Sequence, residues 1–189
     1  MELTSQNFFL FVIFTILFYF SVFRKNQWVF LLIASYLFYF FASPKTLIYL
    51  VITTLTTFLA GLFLDKVEIQ YENKRTLQNK SKKEKTKTIV IALVLIINFG
   101  LLAFYKYYSS IISHFNQFLH LLSIDNEYPV LNLLLPLGIS FYTFQSIGYL
   151  IDVKRKQIKP ETNLAKFALF VSFFPQIIQG PISRYSEIA

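Results

Sequence analysis

Side chains able to move a proton or hold a substrate gather in the last third of this sequence. From Gly138 to Asp152 it reads Gly-Ile-Ser-Phe-Tyr-Thr-Phe-Gln-Ser-Ile-Gly-Tyr-Leu-Ile-Asp. Placed on a helix, Gly138, Tyr142, Gln145, Tyr149 and Asp152 follow spacings of four, three, four and three and form one stripe. Leu137, Phe141, Phe144, Ile147 and Ile151 cover much of the opposite side. Ser140, Thr143 and Ser146 add further hydroxyls to the same span. A helix facing only lipid has no use for so many polar groups, because each is costly there unless it meets protein or a water-filled path. The polar seam is therefore expected to face protein and the Phe side lipid. It suits two roles, packing against other helices and lining a substrate path, and these do not exclude each other.

Other chemistry is scarce. The chain has no Cys, which excludes disulfides, thiolate metal sites and a Cys nucleophile. His114 and His120 stand six residues apart, poorly aligned on one helical face, and with only two His there is little material for a metal site. No carboxylate pair, Gly-rich phosphate loop or Ser-His-Asp order is evident. No residue is assigned as catalytic, and no metal or bound cofactor is expected.

The elements that would hold this seam are apolar. The 189 residues are 55% hydrophobic and 19% aromatic, in long blocks that suit membrane helices of about 20 residues. The blocks predict spans at Phe8–Phe23, Trp28–Ser43, Thr46–Leu64, Ile89–Tyr105 and Val130–Ile151. The first lacks the leading positive charge and cleavage site of a secretory signal, so it reads as an uncleaved anchor. In the third, Thr hydroxyls can bond carbonyls one turn back, and Gly61 suggests close helix contact. Tyr107–Leu122 has one apolar and one polar face, which predicts an amphipathic helix lying in the membrane interface. Leu164–Gln179, with Pro175, Gln176 and Gln179 in its second half, either spans with a kink or turns back. The expected fold is all-α and polytopic, with five to six membrane segments in a single domain.

The formal charge of +8 is best explained by topology. Asp65–Thr88, with eight basic residues against four acidic, is expected to be a cytoplasmic loop. With the N-terminus outside, segments 24–28, 65–88 and 152–163 place fourteen Lys and Arg inside, and only Lys45 and Lys106 lie outside. That asymmetry is a strong orientation signal. It places the chain in the cytoplasmic (inner) membrane and calls for no nucleic acid.

Several separated blocks then carry a resemblance. Leu135-Pro136-Leu137-Gly138-Ile139-Ser140-Phe141-Tyr142-Thr143-Phe144-Gln145, Ile151-Asp152-Val153, Phe173-Phe174-Pro175-Gln176, and Gly180-Pro181-Ile182 followed by Arg184 resemble the membrane-bound O-acyltransferase family, in its bacterial alginate O-acetyltransferase-like branch. The close likeness covers about 55 residues, within 133–188. Relatives often have Tyr-Arg-Gly after the Ile-Asp-Val, where this chain has Lys154-Arg155-Lys156. The resemblance implies a polytopic enzyme that passes an acyl group, commonly acetyl, to a hydroxyl of a cell-envelope glycan. It implies an acyl donor as cosubstrate, either acetyl-CoA or an acyl-carrying protein. A soluble acyl carrier or an extracytoplasmic acetyltransferase would be a partner. The family's His, in the later half of a longer chain, has no counterpart here, so the chain is expected to be the N-terminal part of such an enzyme. Gly138, Ser140, Tyr142, Gln145, Tyr149, Asp152, Pro175, Gln176, Gly180, Pro181 and Arg184 are its candidate path or signature residues. A transporter or exporter component and a non-catalytic membrane scaffold are the rival readings.

Overall fold

The computed structural model describes residues 6–21, 26–72, 77–122, 128–131, 136–179 and 184–188. Among them the fold is helical, with no strand: α1 (Gln6–Ser21), α2 (Gln27–Ala42), α3 (Leu47–Glu72), α4 (Leu77–Leu121), α5 (Ile139–Lys154), α6 (Leu164–Ser172), α7 (Phe174–Gln179) and α8 (Tyr185–Ile188). Pro44, which lacks an N–H, ends α2 and opens a single 3-10 turn, Pro44–Thr46. Two helices, Pro44–Tyr71 and Lys80–Leu121, are long and apolar enough to cross a membrane. Phe8–Ser21, Gln27–Ala42 and Leu164–Gln176 are apolar but shorter.

α3 is the hub, packing against α4, α5 and α6, while α2 packs on α6 and α1 on α2. Side-chain rungs show that α3 and α4 run antiparallel. Tyr49 meets Tyr105 hydroxyl to hydroxyl at one end, and the Asn98 amide donates to Thr56 Oγ1 (3.3 Å) in the middle. Glu68 meets Lys83 and Lys87 at the other end. α4 and α5 are antiparallel too, through Phe99 against Phe144 and Lys154 Nζ donating to Thr88 Oγ1 (2.9 Å). The apolar part of α3 is 47–64; its last turns, from Asp65, are charged.

Two expectations need correction here. Segment 65–88 is not a loop over its described residues, because α3 runs on to Glu72 and α4 already begins at Leu77. Lys, Glu and Gln are good helix formers, so hydrophilicity marked an exposed helical hairpin rather than irregular chain. The amphipathic stretch 107–122 is likewise not a separate interfacial helix but the continuation of α4. At about 1.5 Å per residue α4 is roughly 67 Å long, twice a bilayer core. The polar face of its far end holds returning chain. Ser109 Oγ donates to the Leu131 carbonyl (2.9 Å), and Asn116 both donates to the Tyr128 carbonyl (2.8 Å) and accepts from its N–H (3.0 Å).

The fifth span is also shorter than expected. Pro136 precedes α5, and Gly138, at φ 70°, forms its N-cap in the left-handed region that a side chain would resist. α5 ends in a Schellman turn, with Gln157 N–H on the Asp152 carbonyl (2.9 Å) and Lys156 N–H on the Val153 carbonyl (3.0 Å). Lys156 holds φ 61° there, at the position where glycine is usual. Segment 164–179 is two helices. Phe173 leaves helical geometry (φ −57°, ψ 99°), and Pro175 falls in the first turn of α7, where its missing N–H does no harm.

Candidate functional site

Asn163 starts α6, its Oδ1 accepting from the N–H groups of Ala165 (2.9 Å) and Lys166 (3.3 Å). This sets α6 beside α5 and lays Gln145 against the place where α6 ends. Gln145 Nε2 donates to the Phe170 carbonyl (3.2 Å) and reaches Gln176 Oε1 (3.4 Å) across the break. The Phe174 N–H, freed by that break, finds Ser35 Oγ of α2 at 3.4 Å. The break is thus wrapped by polar groups from three helices in an apolar interior.

Of the seam residues, Tyr142, Gln145, Tyr149 and Asp152 are all buried. Gly138 is at the helix start rather than on the stripe, and Ser140 is half-buried. On the other side Phe144 and Ile151 are exposed, but Ile147 is buried. Gln176 is half-buried beside Gln145, Pro175 is exposed, and Arg184 lies exposed before α8. Gly180 and Pro181 lie outside the described residues.

Eight buried polar atoms have no hydrogen-bond partner among the described residues: the hydroxyls of Tyr39, Thr57, Tyr142, Thr143, Ser146 and Ser172, Asn98 Oδ1, and Gln145 Oε1. Five belong to α5 and α6, so the orphaned atoms concentrate at the seam. Partnerless buried polar atoms are rare, since each forfeits its hydrogen bonds to water. The sequence reading missed Tyr39, Ser35, Asn98 and Ser172. A Tyr, Ser or Asn lying singly in an apolar helix carries no periodic signal, and tertiary packing alone buries these four. Of the α3 threonines, Thr54 and Thr56 do bond back, to the carbonyls of Leu50 (2.7 Å) and Ile52 (2.8 Å), while Thr57 does not.

Tyr149 belongs to a different environment. Its ring packs on Phe167 and Tyr185, and its hydroxyl accepts the Glu161 N–H at 2.9 Å. A Cβ added to Gly61 would stand 3.1 Å from that ring, which is the close approach its glycine permits. Glu161 accepts from the Tyr185 hydroxyl and from the N–H groups of Thr162 (2.9 Å) and Asn163 (2.7 Å). Partial burial works to raise the Glu161 carboxyl, but these hydrogen bonds outweigh it and hold it below its ordinary range. Burial, and then the carboxylate it serves, push the Tyr185 hydroxyl up.

The seam can donate, accept and orient, and no group on it is assigned as a base. His114, bonded through Nδ1 to the Ser110 carbonyl (2.6 Å), and His120 lie on the far reach of α4, beyond the start of α5. No group of three or more His, Cys, Asp or Glu able to hold a metal occurs among the described residues.

Comparison with known proteins supplies the context for this geometry. The chain is 31% identical over 187 residues to a probable alginate O-acetylase of Pseudomonas aeruginosa, covering 97% of this chain and 33% of that protein. It is 38% identical over 120 residues to a peptidoglycan O-acetyltransferase of Helicobacter pylori, covering 51% of this chain and 22% of that protein. A teichoic acid D-alanyltransferase of Lacticaseibacillus rhamnosus is 45% identical over 49 residues, 26% of this chain and 12% of that protein. No family model and no solved structure matches. The chain spans about a third of the length of the alginate O-acetylases it matches. Relatives of one kind along nearly the whole chain place it in the membrane-bound O-acyltransferase family, in its alginate O-acetylase-like branch.

Proposed function

We propose that the chain is part of a multi-pass enzyme of the cytoplasmic membrane that transfers an acyl group, acetyl above all, to a hydroxyl of a cell-envelope polysaccharide. The relatives' names favour this over an exporter or a scaffold, since they specify acyl transfer to alginate, peptidoglycan or teichoic acid. The acceptor hydroxyl attacks the acyl carbonyl, a base takes its proton, and the donor's leaving group departs. The donor is acetyl-CoA or an acyl-carrying protein, and a soluble carrier or an extracytoplasmic acetyltransferase works beside it. Within residues 1–189 the part we assign is positioning. Tyr142, Gln145 and Gln176 line the substrate path around the α6–α7 break, and no base is assigned. The charge distribution favours cytoplasmic placement of 65–88 and 152–163, with five to six crossings and the N-terminus outside.

One observation carries this reading: buried polar atoms with no hydrogen-bond partner among the described residues are concentrated on α5 and at the end of α6, beside the break, in an apolar interior. Such groups are expensive unless a polar substrate or water serves them. The test substitutes Gln145→Leu or Phe144→Leu in the gene at its own locus, reading membrane protein level and base-labile acetate on the envelope polysaccharide. Gln145→Leu should keep near-normal level, because interhelical polar bonds average only about 0.6 kcal/mol, and lose about tenfold or more in acetylation. Phe144→Leu should keep both. Equal acetylation in the two variants would overturn the path, and a lost protein level in Gln145→Leu would make the seam plain packing.

A further inference from the structure

At the charged end of the α3–α4 hairpin three ammonium groups converge on one carboxylate. Lys83 Nζ lies 2.9 Å from Glu68 Oε1, Lys156 pairs with the same oxygen, and Lys87 pairs with Oε2. The Lys87 side chain is only 2% exposed, and lysines are almost never buried so far unless paired. One carboxylate cannot neutralise three cations. Beside it opens a cavity of about 420 Å³, with Lys87, Lys156 and Lys159 on its polar side and Leu64 and Ile158 on its apolar side. Asp65 also lines it, so the lining carries three cations to two carboxylates, and Lys83 stands behind as a fourth.

A second observation is independent of the charge count. Lys156 occupies the left-handed position that ends α5, where glycine would sit without strain. A strained backbone that brings an ammonium to a cavity mouth points to a use for that ammonium. Depth supplies a third. The apolar run of α3 ends at Leu64 and that of α4 starts at Ile89, so the cavity opens where hydrocarbon gives way to headgroups.

We propose that this cavity binds the phosphate of an anionic phospholipid headgroup. Lys87, Lys156 and Lys159 face the phosphate, and Leu64 and Ile158 cover the glycerol and first methylenes. The site rests on membrane insertion and not on acyl transfer, so the two readings fail separately.

The test is thermal unfolding of the purified chain in neutral maltoside micelles, with dihexanoylphosphatidylglycerol titrated in. Dihexanoylphosphatidylcholine controls for the chains and inorganic phosphate for the anion. Phosphatidylglycerol should raise the midpoint saturably, as a ligand of the folded state does, and phosphatidylcholine should not. Removing one basic residue near a membrane surface weakens anionic-lipid binding by about fivefold. Lys156→Gly should therefore raise the half-saturating concentration about fivefold while relieving the backbone. Glu68→Gln, which frees three lysines from their carboxylate, should lower it several-fold. Identical responses to the two lipids, or a half-saturation unchanged in both variants, would overturn the site. Inorganic phosphate reproducing the whole shift at equal concentration would overturn the lipid as its occupant.

Discussion

The seam of α5 and the charged margin that gathers near the C-terminal end of that helix treat polar groups in opposite ways. Around Gln145 the hydroxyls of Tyr142, Thr143 and Ser146 are buried with no hydrogen-bond partner among the described residues. About one turn further along α5, Tyr149 joins Glu161 and Tyr185, which satisfy one another, and nearby Glu68 holds three lysines. The margin shows what this chain does with polar groups whose task is to hold helices together: it pairs them. Among the described residues the seam departs from that practice more than any other stretch, with four of the eight unpartnered atoms on α5. Buried polar groups without partners are rare enough in folded proteins that each calls for an explanation.

The largest expected effect falls where the two regions share a wall. Gly61→Leu drives a side chain against Tyr149, which Phe167, Phe170 and Tyr185 hem in. It should destabilise by about 3 kcal/mol, the upper end for overpacking, and lower the protein level in membranes. A normal level and melting midpoint would show that the wall yields and that the two regions are mechanically separate.

Acid should act on the margin next. The Glu161 carboxyl is held low in the folded state, so its stabilisation is full above the unfolded value and is lost as pH falls below it. Glu161→Gln should cost about 2 kcal/mol at pH 7, typical of hydrogen bonds to a charged group. That difference should shrink as melting is followed from pH 7 towards pH 3. A difference independent of pH would mean that Glu161 acts by shape alone.

A pair of single-oxygen deletions sharpens the contrast. Tyr185→Phe removes a hydroxyl bonded to Glu161 and should cost about 1.5 kcal/mol. Tyr142→Phe removes a buried orphan and should be neutral within about 0.5 kcal/mol, or stabilising, in melting of the purified chain. Equal losses from both would dissolve the distinction between the regions. The smallest effect is expected from His114→Ala and His120→Ala. Both lie on the far reach of α4, and envelope acetylation should stay within about twofold.

Helicity was legible in the sequence, because long apolar blocks leave the backbone no partner but itself. The seam's stripe was legible for the same local reason: spacings of four and three stack residues on one face whatever surrounds them. The Gly61 contact followed from the chemistry of one residue. Whether 65–88 was loop or helix, and whether 107–122 was a helix of its own or the continuation of α4, did not follow. Polarity there is compatible with both, and the choice was made by Glu68 meeting Lys83 and Lys87, and by Ser109 and Asn116 holding chain from 128–131. Only the tertiary structure brought Ser35 to the Phe174 N–H at the α6–α7 break, or Lys156 to Glu68 across about 90 residues of chain. The sequence determined which faces are apolar and which polar, since periodicity is a local property of the backbone. Which polar groups meet and which stay alone was decided by packing between distant helices, and periodicity carries no record of that.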